Sequence, residues 1–435
     1  MSVYGTVPRE GVFMTKPTDL EGLKTSLRRD YDPFATKVTI QSHLDEIADR
    51  RAELPISYSA PAGGCWIVTT YDDISSVLRR NNRGFVSFPN EPPTVQTNLQ
   101  GKRKRMIPIE LDGSTHRQYR NLLDPLFAPG AVAKLEPRLR TAANHLIDQF
   151  IERGSCDFSR EFALPFPGGT VMGIMGWPIE DMVQLSEWAD IMMHGIYGGT
   201  DEENNEARAE AGQELGGYLT ALIAERRAAP PRDDVTSLLL DGEIDGRTLP
   251  DDDVFDAFLL MIFAGLDTVQ SAFSQSMLYL GRHQDRWDEM FSTPDMLVPA
   301  IEELLRWTTM PVPTRTATET VEVGGITLPP GERVHCPLGA ANRDPRYFER
   351  PDEVIFDRPR TKPHIAFGLG PHRCIGSHLA RLELRIGFEE LRRRIPSFRI
   401  DPGVTPEEHL GMAWGVNNVN LLFPPGEQLY RVASG

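Results

Sequence analysis

Apolar residues recur at helical spacing over most of the chain from Thr115 onward. Apolar positions three and four residues apart form one stripe on a helix, so this pattern predicts helices with a buried face. The predicted helices cover residues 133–153, 179–195, 205–228, 250–282 and 297–308. The segment 250–282 is apolar almost all round near Phe258–Phe263, which indicates a helix buried in the core.

Two shorter regions have a β pattern. Cys65–Thr70 is rich in branched and aromatic residues, and the stretches between Thr318 and Pro337 suggest a small sheet. We therefore predict a mainly α fold with minor β, in one domain that spans residues 1–435. Residues 1–33 are polar and broken by prolines, and we expect them to form an extended N-terminal segment.

Composition and charge narrow the function. The chain has 435 residues, of which 40% are hydrophobic, and its net charge of −16 disfavours nucleic acid as a general partner. The basic run Lys102–Arg105 is the exception, and a solvated loop is its ordinary interpretation. Neither a secretory signal nor a membrane span of ~20 apolar residues is predicted, so we expect a cytoplasmic protein. The four cysteines are scattered, which fits a reducing compartment.

One of these cysteines lies in a glycine-rich loop. Phe367–Gly376 reads Phe-Gly-Leu-Gly-Pro-His-Arg-Cys-Ile-Gly, and its three glycines allow positive φ and close approach of the backbone to a large flat ligand. Pro371 bends the chain just before Cys374. Apolar residues at helical spacing follow, so Cys374 is predicted to lie at a helix N-terminus, where free amides favour a thiolate.

Three interpretations of Cys374 are open on these grounds: a nucleophile, a metal ligand and an inert core sulfur. A lone cysteine is most often a small buried hydrophobe. An acyl-transfer nucleophile would need an independently placed His-Asp pair, and the sequence indicates none.

A second unusual segment lies inside the apolar helix 250–282. It reads Ala264-Gly-Leu-Asp-Thr268 and places a carboxylate and a hydroxyl among apolar neighbours. Buried polar groups need partners. Thr268 can donate to the carbonyl one turn earlier and Asp267 can pair with an arginine, so a structural role stays open beside a role in proton transfer.

The two segments together resemble those of the cytochrome P450 superfamily. The cysteine loop is similar to its haem-ligand loop, and Ala-Gly-x-Asp-Thr is similar to its oxygen-binding segment. The resemblance implies the single-domain P450 fold, with haem b between the long oxygen-binding helix and the helix that follows the cysteine loop. It implies Cys374 as the axial thiolate ligand of iron, and Asp267 and Thr268 as the acid and alcohol that deliver protons. Other haem-contacting positions implied by the two motifs are Ala264, Phe367, Gly368 and Gly376.

A third motif, Glu303-Leu-Leu-Arg306, matches the family's Glu-x-x-Arg pair. An acid and a base three residues apart on a helix are common, so the value of this match comes from its place between the other two motifs. In the family a downstream arginine completes a buried structural triad, and both Arg358 and Arg360 lie in the right region.

The resemblance also implies cations for the two haem propionates. His116 and Arg120 lie one helical turn apart in a segment similar to the family's, and Arg315 and His364 match two further positions. The family's usual proline at the start of this helix is Gly113 here. We expect the replacement to leave the helix start intact.

The implied activity is insertion of one atom of O2 into a C–H bond, with electrons from a ferredoxin or flavodoxin and its reductase. Within the superfamily, the chain looks closest to soluble bacterial members that oxidise camphor and other terpenoids. We predict an apolar substrate of moderate size: a terpenoid, a branched lipid or an alkyl-aromatic compound. The apolar side chains predicted to line its pocket are Ile109, Leu111, Leu260, Phe263, Val312, Met412, Ala413 and Trp414.

Two surface features complete the prediction. A basic patch suited to an acidic electron carrier is predicted from Arg117, Lys362, Arg373 and His378. The polar stretch Gly198–Asn205 is predicted to be a flexible lid hinge.

Two other functions remain as alternatives: a peroxide-driven enzyme of similar fold and a non-catalytic haem sensor or carrier. Neither requires the Asp267–Thr268 pair, so its presence favours the monooxygenase.

Overall fold

The computed structural model of the chain describes residues 19–31, 39–61, 63–87, 105–196, 199–309, 311–359, 362–409 and 414–430. Its α-helices are α1 (Leu20–Ser26), α2 (Ile40–Glu53), α3 (Tyr71–Arg79), α4 (Gly113–Leu123), α5 (Pro129–Ala133), α6 (Glu136–Asp148), α7 (Pro165–Met175), α8 (Met182–His194), α9 (Asp201–Ala228), α10 (Val235–Leu240), α11 (Asp251–Leu266), α12 (Thr268–Arg282), α13 (Gln284–Met290), α14 (Leu297–Trp307), α15 (Leu338–Asn342) and α16 (Ser377–Arg394).

The strands are short and form small sheets. They are β1 (Ile56–Ser59), β2 (Cys65–Val68), β3 (Phe85–Val86), β4 (Ser155–Asp157), β5 (Glu243–Ile244), β6 (Arg247–Thr248), β7 (Thr314–Ala317), β8 (Val321–Val323), β9 (Ile326–Leu328), β10 (Arg333–His335), β11 (Arg399–Ile400), β12 (Glu408–His409), β13 (Gly415–Val416) and β14 (Asn420–Leu422). The largest sheet has five strands in the order β1-β2-β10-β7-β3, in which β10 runs parallel to β2 and antiparallel to β7. The mainly α architecture with minor β is confirmed.

Three groups of buried apolar side chains form the core. One joins α6, α12, α14 and α16, a second joins α4 to α7, α8, α9 and α11, and a third lies between the five-stranded sheet and α3. Ile375, the residue after Cys374, packs against both helical groups. The cysteine loop therefore lies where the two helical parts of the core meet.

The five long predicted helices are all present, with ends shifted by a few residues. One shift is at the start of α9, which begins at Asp201 because Thr200 and Glu203 form a reciprocal capping box there. Asp201–Asn205 is therefore helical, and the prediction of a flexible hinge over Gly198–Asn205 is wrong for that part. Gly198 lies outside the described residues.

The N-terminal prediction also needs correction. Residues 1–18 lie outside the described part of the chain, but Leu20–Ser26 forms α1 rather than extended chain, with Asp19 as its N-cap. Arg29 then donates its backbone N–H to the carbonyl of Tyr58 and attaches the segment to β1.

The predicted core helix 250–282 is present as α11 and α12 with an interruption at Asp267. Three aspartates lie in the first turn of α11, where their negative charge interacts favourably with the positive end of the helix dipole. By length and composition alone, Asp251–Arg282 is apolar enough to cross a membrane, contrary to the sequence prediction that no stretch is. Of its most apolar 18-residue window, 67% is buried inside the protein, as expected of a core helix.

Candidate haem and oxygen site

The cysteine loop is fixed mainly by its backbone. Cys374 donates its N–H to the carbonyl of Phe367 at 2.9 Å, and Gly368 and Gly370 have φ of +67° and +72°. A Cβ at Gly370 would lie 2.5 Å from the carbonyl oxygen of Leu78, whereas a Cβ at Gly368 would meet nothing within 4 Å. Gly370 thus lets the loop pass close to α3, and Gly368 leaves the space beside the loop open. Gly376 has φ −76°, so positive φ is not its role.

Cys374 differs from the other three cysteines, which are buried and have pKa values raised by burial. Cys374 is exposed. Burial is nevertheless the largest influence on its thiol and raises its pKa, while the Gly376 amide and the guanidinium groups of Arg120 and Arg373 act in the opposite direction. Both observations agree if the sulfur lies in the wall of a recess beneath the molecular surface. Coordination to a metal deprotonates a thiol, and these amide and guanidinium groups would then stabilise the thiolate.

The Glu-x-x-Arg pair is buried on α14. Arg306 Nη2 lies 2.8 Å from Glu303 Oε1, and Arg358 Nε lies 2.9 Å from the same oxygen. Arg358 therefore completes the triad, and Arg360 lies outside the described residues. Arg306 also donates to the carbonyls of Asn342, Pro351 and Glu353, so the triad attaches α14 to the segment that leads to the cysteine loop.

A polar cluster joins the start of α4 to the cysteine loop through Asp112. Its Oδ1 accepts from Asn81 Nδ2 at 2.7 Å and lies 3.3 Å from His372 Nε2. Burial alone would raise the pKa of Asp112, but the bonds from His372, Asn81 and the Ser87 amide lower it to about 2. The His372 ring packs against that of His116 at 4.0 Å between centroids. His372 belongs to the cysteine-loop motif, but no local pattern indicated that it would reach α4.

Both imidazoles are neutral at neutral pH. Burial, followed by the nearby His372 and Arg120, lowers the pKa of His116 to about 4. Burial also lowers the pKa of His372, against the opposing effect of Asp112. The role of His116 toward the haem propionates stays a prediction, and its ring is a hydrogen-bond donor in either protonation state.

The charge of the cluster comes from two arginines. Arg120 binds Asp124 through Nε and donates through Nη1 to the carbonyl of Arg373 at 2.8 Å, which places its guanidinium group against the cysteine loop. Arg315 is 6% exposed, and burial lowers its pKa. Its Nε and the Nδ1 of His372 have no hydrogen-bond partner among the residues that the structure describes.

The unpartnered Arg315 donor fits the haem that the sequence implies. Buried donors without a partner are unfavourable, and a propionate carboxylate is an acceptor of the kind they lack. A thiol presented on a glycine loop beside such donors matches a ligand that has a metal at its centre and anionic groups at its edge.

His364 lies in a different cluster. Its Nε2 is 2.9 Å from Glu302 Oε2, and the same carboxylate binds Arg381 at 2.6 Å. Burial would raise the pKa of Glu302, but hydrogen bonds from Arg381 and His364 lower it to about 2. Arg381 in turn lies 4.5 Å from the ring centre of Phe367. The structure therefore does not bring His364 into the Asp112 cluster.

Gly113 begins α4 as expected, but in a conformation that proline cannot adopt. Its φ is +65°, and its N–H donates to Asn82 Oδ1 at 2.8 Å. Proline fixes φ near −65° and has no N–H. The glycine has therefore changed how this helix begins while leaving the helix in place.

The predicted oxygen-binding segment lies where α11 ends at Leu266 and α12 begins at Thr268. The hydroxyl of Thr268 donates to the carbonyl of Ala264 at 2.9 Å, the structural bond that the sequence left open. Ala264 is exposed, next to the buried Phe263 and the partly buried Gly265. A Cβ at Gly265 would lie 2.6 Å from Val171 Cγ2, so Gly265 allows α11 to pack against α7.

Asp267 is 9% exposed and lies 3.4 Å, Oδ2 to Nε2, from His194 at the end of α8. The sequence suggested an arginine as a partner for this acid. Because 73 residues separate His194 from Asp267, no local pattern could have indicated the contact.

The predicted pocket residues are placed unevenly. Leu111 and Phe263 are buried, Leu260 and Val312 are partly buried, and Ile109 is exposed. Trp414 is 2% exposed and packs its ring against His43 at 4.0 Å, which is a core-packing position. Met412 and Ala413 lie outside the described residues.

The predicted basic patch is only partly continuous. Arg117 and Arg373 are exposed, whereas Lys362 lies 4.8 Å from the ring centre of Tyr347. His378 borders a groove of about 260 Å³ between α5, α14 and α16, together with Arg381 and Arg385.

Comparisons with known proteins agree with this site. The family model for "Cytochrome P450" matches residues 176–416. The chain is 35% identical over 373 residues to "Probable cytochrome P450 127A1" of Sinorhizobium fredii, covering 84% of this chain and 86% of the relative. It is 32% identical over 365 residues to the "Methyl-branched lipid omega-hydroxylase" of Mycobacterium tuberculosis, covering 80% of this chain and 84% of the relative.

Among solved structures, the chain is similar to CYP109E1 from Bacillus megaterium in complex with testosterone. The TM-score is 0.78 at 27% identity, covering 87% of this chain and 97% of the other. With the cysteine loop, the Glu303 triad and relatives that match along most of their length, the chain belongs to the cytochrome P450 family, as a haem b-binding monooxygenase with the single-domain P450 fold.

Proposed function

We propose that this monooxygenase inserts one oxygen atom from O2 into a C–H bond of an apolar substrate of moderate size. The observation that carries the proposal is the position of Cys374. It is the exposed member of the four cysteines, and its loop meets the Asp112 cluster, where Arg315 Nε is a buried donor without a partner among the described residues.

When haem binds, Cys374 Sγ would hold its metal and the cluster around Asp112 would bind its propionates. Arg120 and Arg315 would supply the positive charge, and His116 would be a further hydrogen-bond donor. The positions that contact the rest of the haem are Ala264, Phe367, Gly368 and Gly376. Once bound, a haem with a thiolate ligand activates O2 for insertion into a C–H bond. We assign His364 a supporting role behind the loop, through Glu302 and Arg381.

Asp267 and Thr268 deliver protons on the distal side. Thr268 now donates to the carbonyl of Ala264. A hydroxyl that can rotate away from a helix carbonyl can order a water molecule, and a neighbouring carboxyl group can restore its proton. The interruption of the helix at Asp267 leaves this carboxylate beside Thr268 and outside regular helix.

The substrate is selected by an apolar surface. Leu111, Leu260, Phe263 and Val312 offer no charged group, which suits a terpenoid, a branched lipid or an alkyl-aromatic compound. Two proteins to which the chain is similar act on or bind apolar molecules by name, a methyl-branched lipid hydroxylase and a testosterone complex. These similarities support a lipid or steroid-sized substrate over a small one.

Electrons come from a ferredoxin or flavodoxin that docks beside the cysteine loop. Arg117 and Arg373 are exposed there on a chain of net charge −16, so they would attract an acidic carrier. We place the protein in the cytoplasm, as one domain over residues 1–435.

An absorbance spectrum tests the central assignment. The reduced protein with carbon monoxide should show the red-shifted Soret band of a thiolate-ligated haem. Cys374→Ser should lose the band, and Thr268→Ala should keep it. A band that survives in Cys374→Ser would exclude this cysteine as the ligand.

Product assays test the reaction. Turnover of a lipid and terpenoid panel should require O2 and a ferredoxin system, and Thr268→Ala should divert reducing equivalents to hydrogen peroxide. Turnover with hydrogen peroxide alone, at the rate of the ferredoxin system, would instead indicate a peroxide-driven enzyme.

A further inference from the structure

We propose that His194 positions Asp267 and returns protons to it from solvent, so that the protonation of one histidine sets the pH range in which oxygen is used efficiently. The inference rests on the proposed function, because it assigns a supply route to the acid of that site. The route begins on α8, outside every motif in the sequence.

The first support is the contact itself. His194 Nε2 lies 3.4 Å from Asp267 Oδ2, and the two side chains are 7% and 12% exposed. His194 is the last residue of α8, and Asp267 occupies the interruption between α11 and α12. The pair therefore joins the end of one helix to the irregular backbone beside Thr268.

The second support is the rigid corner that follows His194. Gly195 has φ +77°, and a Cβ there would lie 2.4 Å from Asn204 Oδ1. The same oxygen accepts the N–H of Ile196 at 2.6 Å, and Asn204 Nδ2 donates to the carbonyl of Gly199. Asn204 is 8% exposed, so a buried side chain holds the backbone that directly follows His194.

The charged groups around His194 lie on four elements. Asp267 faces it from the long helix, and Asp190 lies one turn earlier on α8. Arg160 on the π-helical turn Ser159–Ala163 acts on Asp190, and Arg208 of α9 lies against Gly195. Two carboxylates favour an imidazolium at this position, and the two guanidinium groups oppose it.

Each proton that leaves the His194–Asp267 pair is replaced by one from solvent. An imidazolium at His194 gives its Nε2 proton to the Asp267 carboxylate, which passes a proton towards the Thr268 hydroxyl and returns to its anionic form. His194 then takes a proton from solvent. Histidine suits this role because its ordinary pKa lies near neutrality, whereas an arginine stays protonated and can only hold the acid in place.

The contact can be tested without turnover. In protein labelled with [13C]histidine, prepared as the reduced carbon monoxide complex, the His194 resonance is identified by its loss in His194→Gln. Asp267→Asn should lower the measured His194 pKa by about one unit, because an opposite charge is removed. An unchanged pKa would overturn the pairing. The spectrum of the same sample shows separately whether the proposed haem ligation holds.

Turnover tests the proton supply. Product formed per O2 consumed should fall in wild-type protein as pH rises through the His194 pKa. His194→Gln should lower it at least about threefold at all pH values. His194→Arg should also stay low, while His283→Gln, at the exposed end of α12, should match wild type.

Each outcome decides the matter. Wild-type coupling and pH dependence in His194→Gln would overturn the inference, and full coupling in His194→Arg would overturn the return of protons. If the wild type forms product and neither His194→Gln nor His194→Arg changes the product formed per O2 consumed, only this inference is refuted. Failure of the wild type to form product refutes the proposed function, and the histidine titration still tests the pair.

Discussion

The two sides of the site are built in different ways. The side that carries Cys374 is one contiguous loop, shaped by glycines in left-handed backbone and backed by the buried Glu303 triad. The side that carries Asp267 is assembled from α7, α8, α11 and α12, whose contacts join residues far apart in sequence. The first depends on backbone geometry and compensated charge, and the second on helix packing.

This difference predicts how each side responds to substitution. Small movements cannot relieve the energetic cost of a buried charge that has lost its partner. They also cannot relieve the strain of a side chain placed where φ must be positive. Helices that are packed too tightly can move apart by a fraction of an ångström. We therefore expect large effects on the cysteine side and smaller effects, which a second substitution can reverse, on the oxygen side.

The largest effect is expected from Glu303→Gln. It preserves shape but leaves Arg306 and Arg358 as buried cations without a carboxylate, which should destabilise the protein by about 3–5 kcal/mol. The control is Glu353→Gln, which removes an exposed pair with Arg350 and should change stability by less than about 1 kcal/mol. Urea unfolding measures both. Equal effects would show that the triad does not support the loop.

Gly370→Ala should cost about 2–3 kcal/mol and reduce haem retention. Its φ is +72°, and its new Cβ would lie 2.5 Å from a backbone oxygen that cannot rotate away. Gly331→Ala is the matched control, because Gly331 has φ +93° but a Cβ there would meet nothing within 4 Å. Unfolding free energies of the two variants separate the clash from the strain, and equal values would exclude the clash.

The same difference explains what the sequence predicted. The cysteine loop is one contiguous segment, so its motif was enough to identify Cys374 as the candidate ligand. For the Glu303 triad, the sequence left only the choice between Arg358 and Arg360. Helix existence followed from apolar spacing because each long helix buries one face. Helix ends followed less well, as at Thr200, because a cap depends on a few side chains.

The contacts between distant elements were not predictable. His372 and His116 share a cluster because α4 and the cysteine loop converge, and His194 reaches Asp267 because α8 crosses the long helix. The sequence also could not show that burial and neighbouring cations lower the pKa of His116. Gly265 lies in the motif that resembles the family's oxygen-binding segment, but the motif did not show that its small size lets α11 pack against α7.

Glu383 links the two sides and predicts a pH effect. It lies on α16, is 2% exposed, and burial raises its pKa to about 8 against a hydrogen bond to Thr170 of α7. Between pH 4.5 and 8 the unfolded chain loses this proton and the folded protein keeps it, so stability falls as pH rises. Glu383→Gln removes that dependence, and wild type should lose about 1–2 kcal/mol more than the variant between pH 6 and 8. Parallel melting-temperature profiles for the two proteins would contradict the raised pKa.

The smallest effect should come from Gly265→Ala on the oxygen side, at about 1 kcal/mol. Its Cβ would meet Val171 Cγ2 at 2.6 Å, but that contact is with the end of a side chain, so α7 and α11 can separate slightly. Val171→Ala removes the opposing methyl groups, so the double variant should recover part of the loss. The coupling between the two substitutions, measured by urea unfolding, should therefore be favourable. Additive losses would mean that Gly265 is needed for a reason other than this packing, and that the oxygen side is as intolerant of change as the cysteine loop.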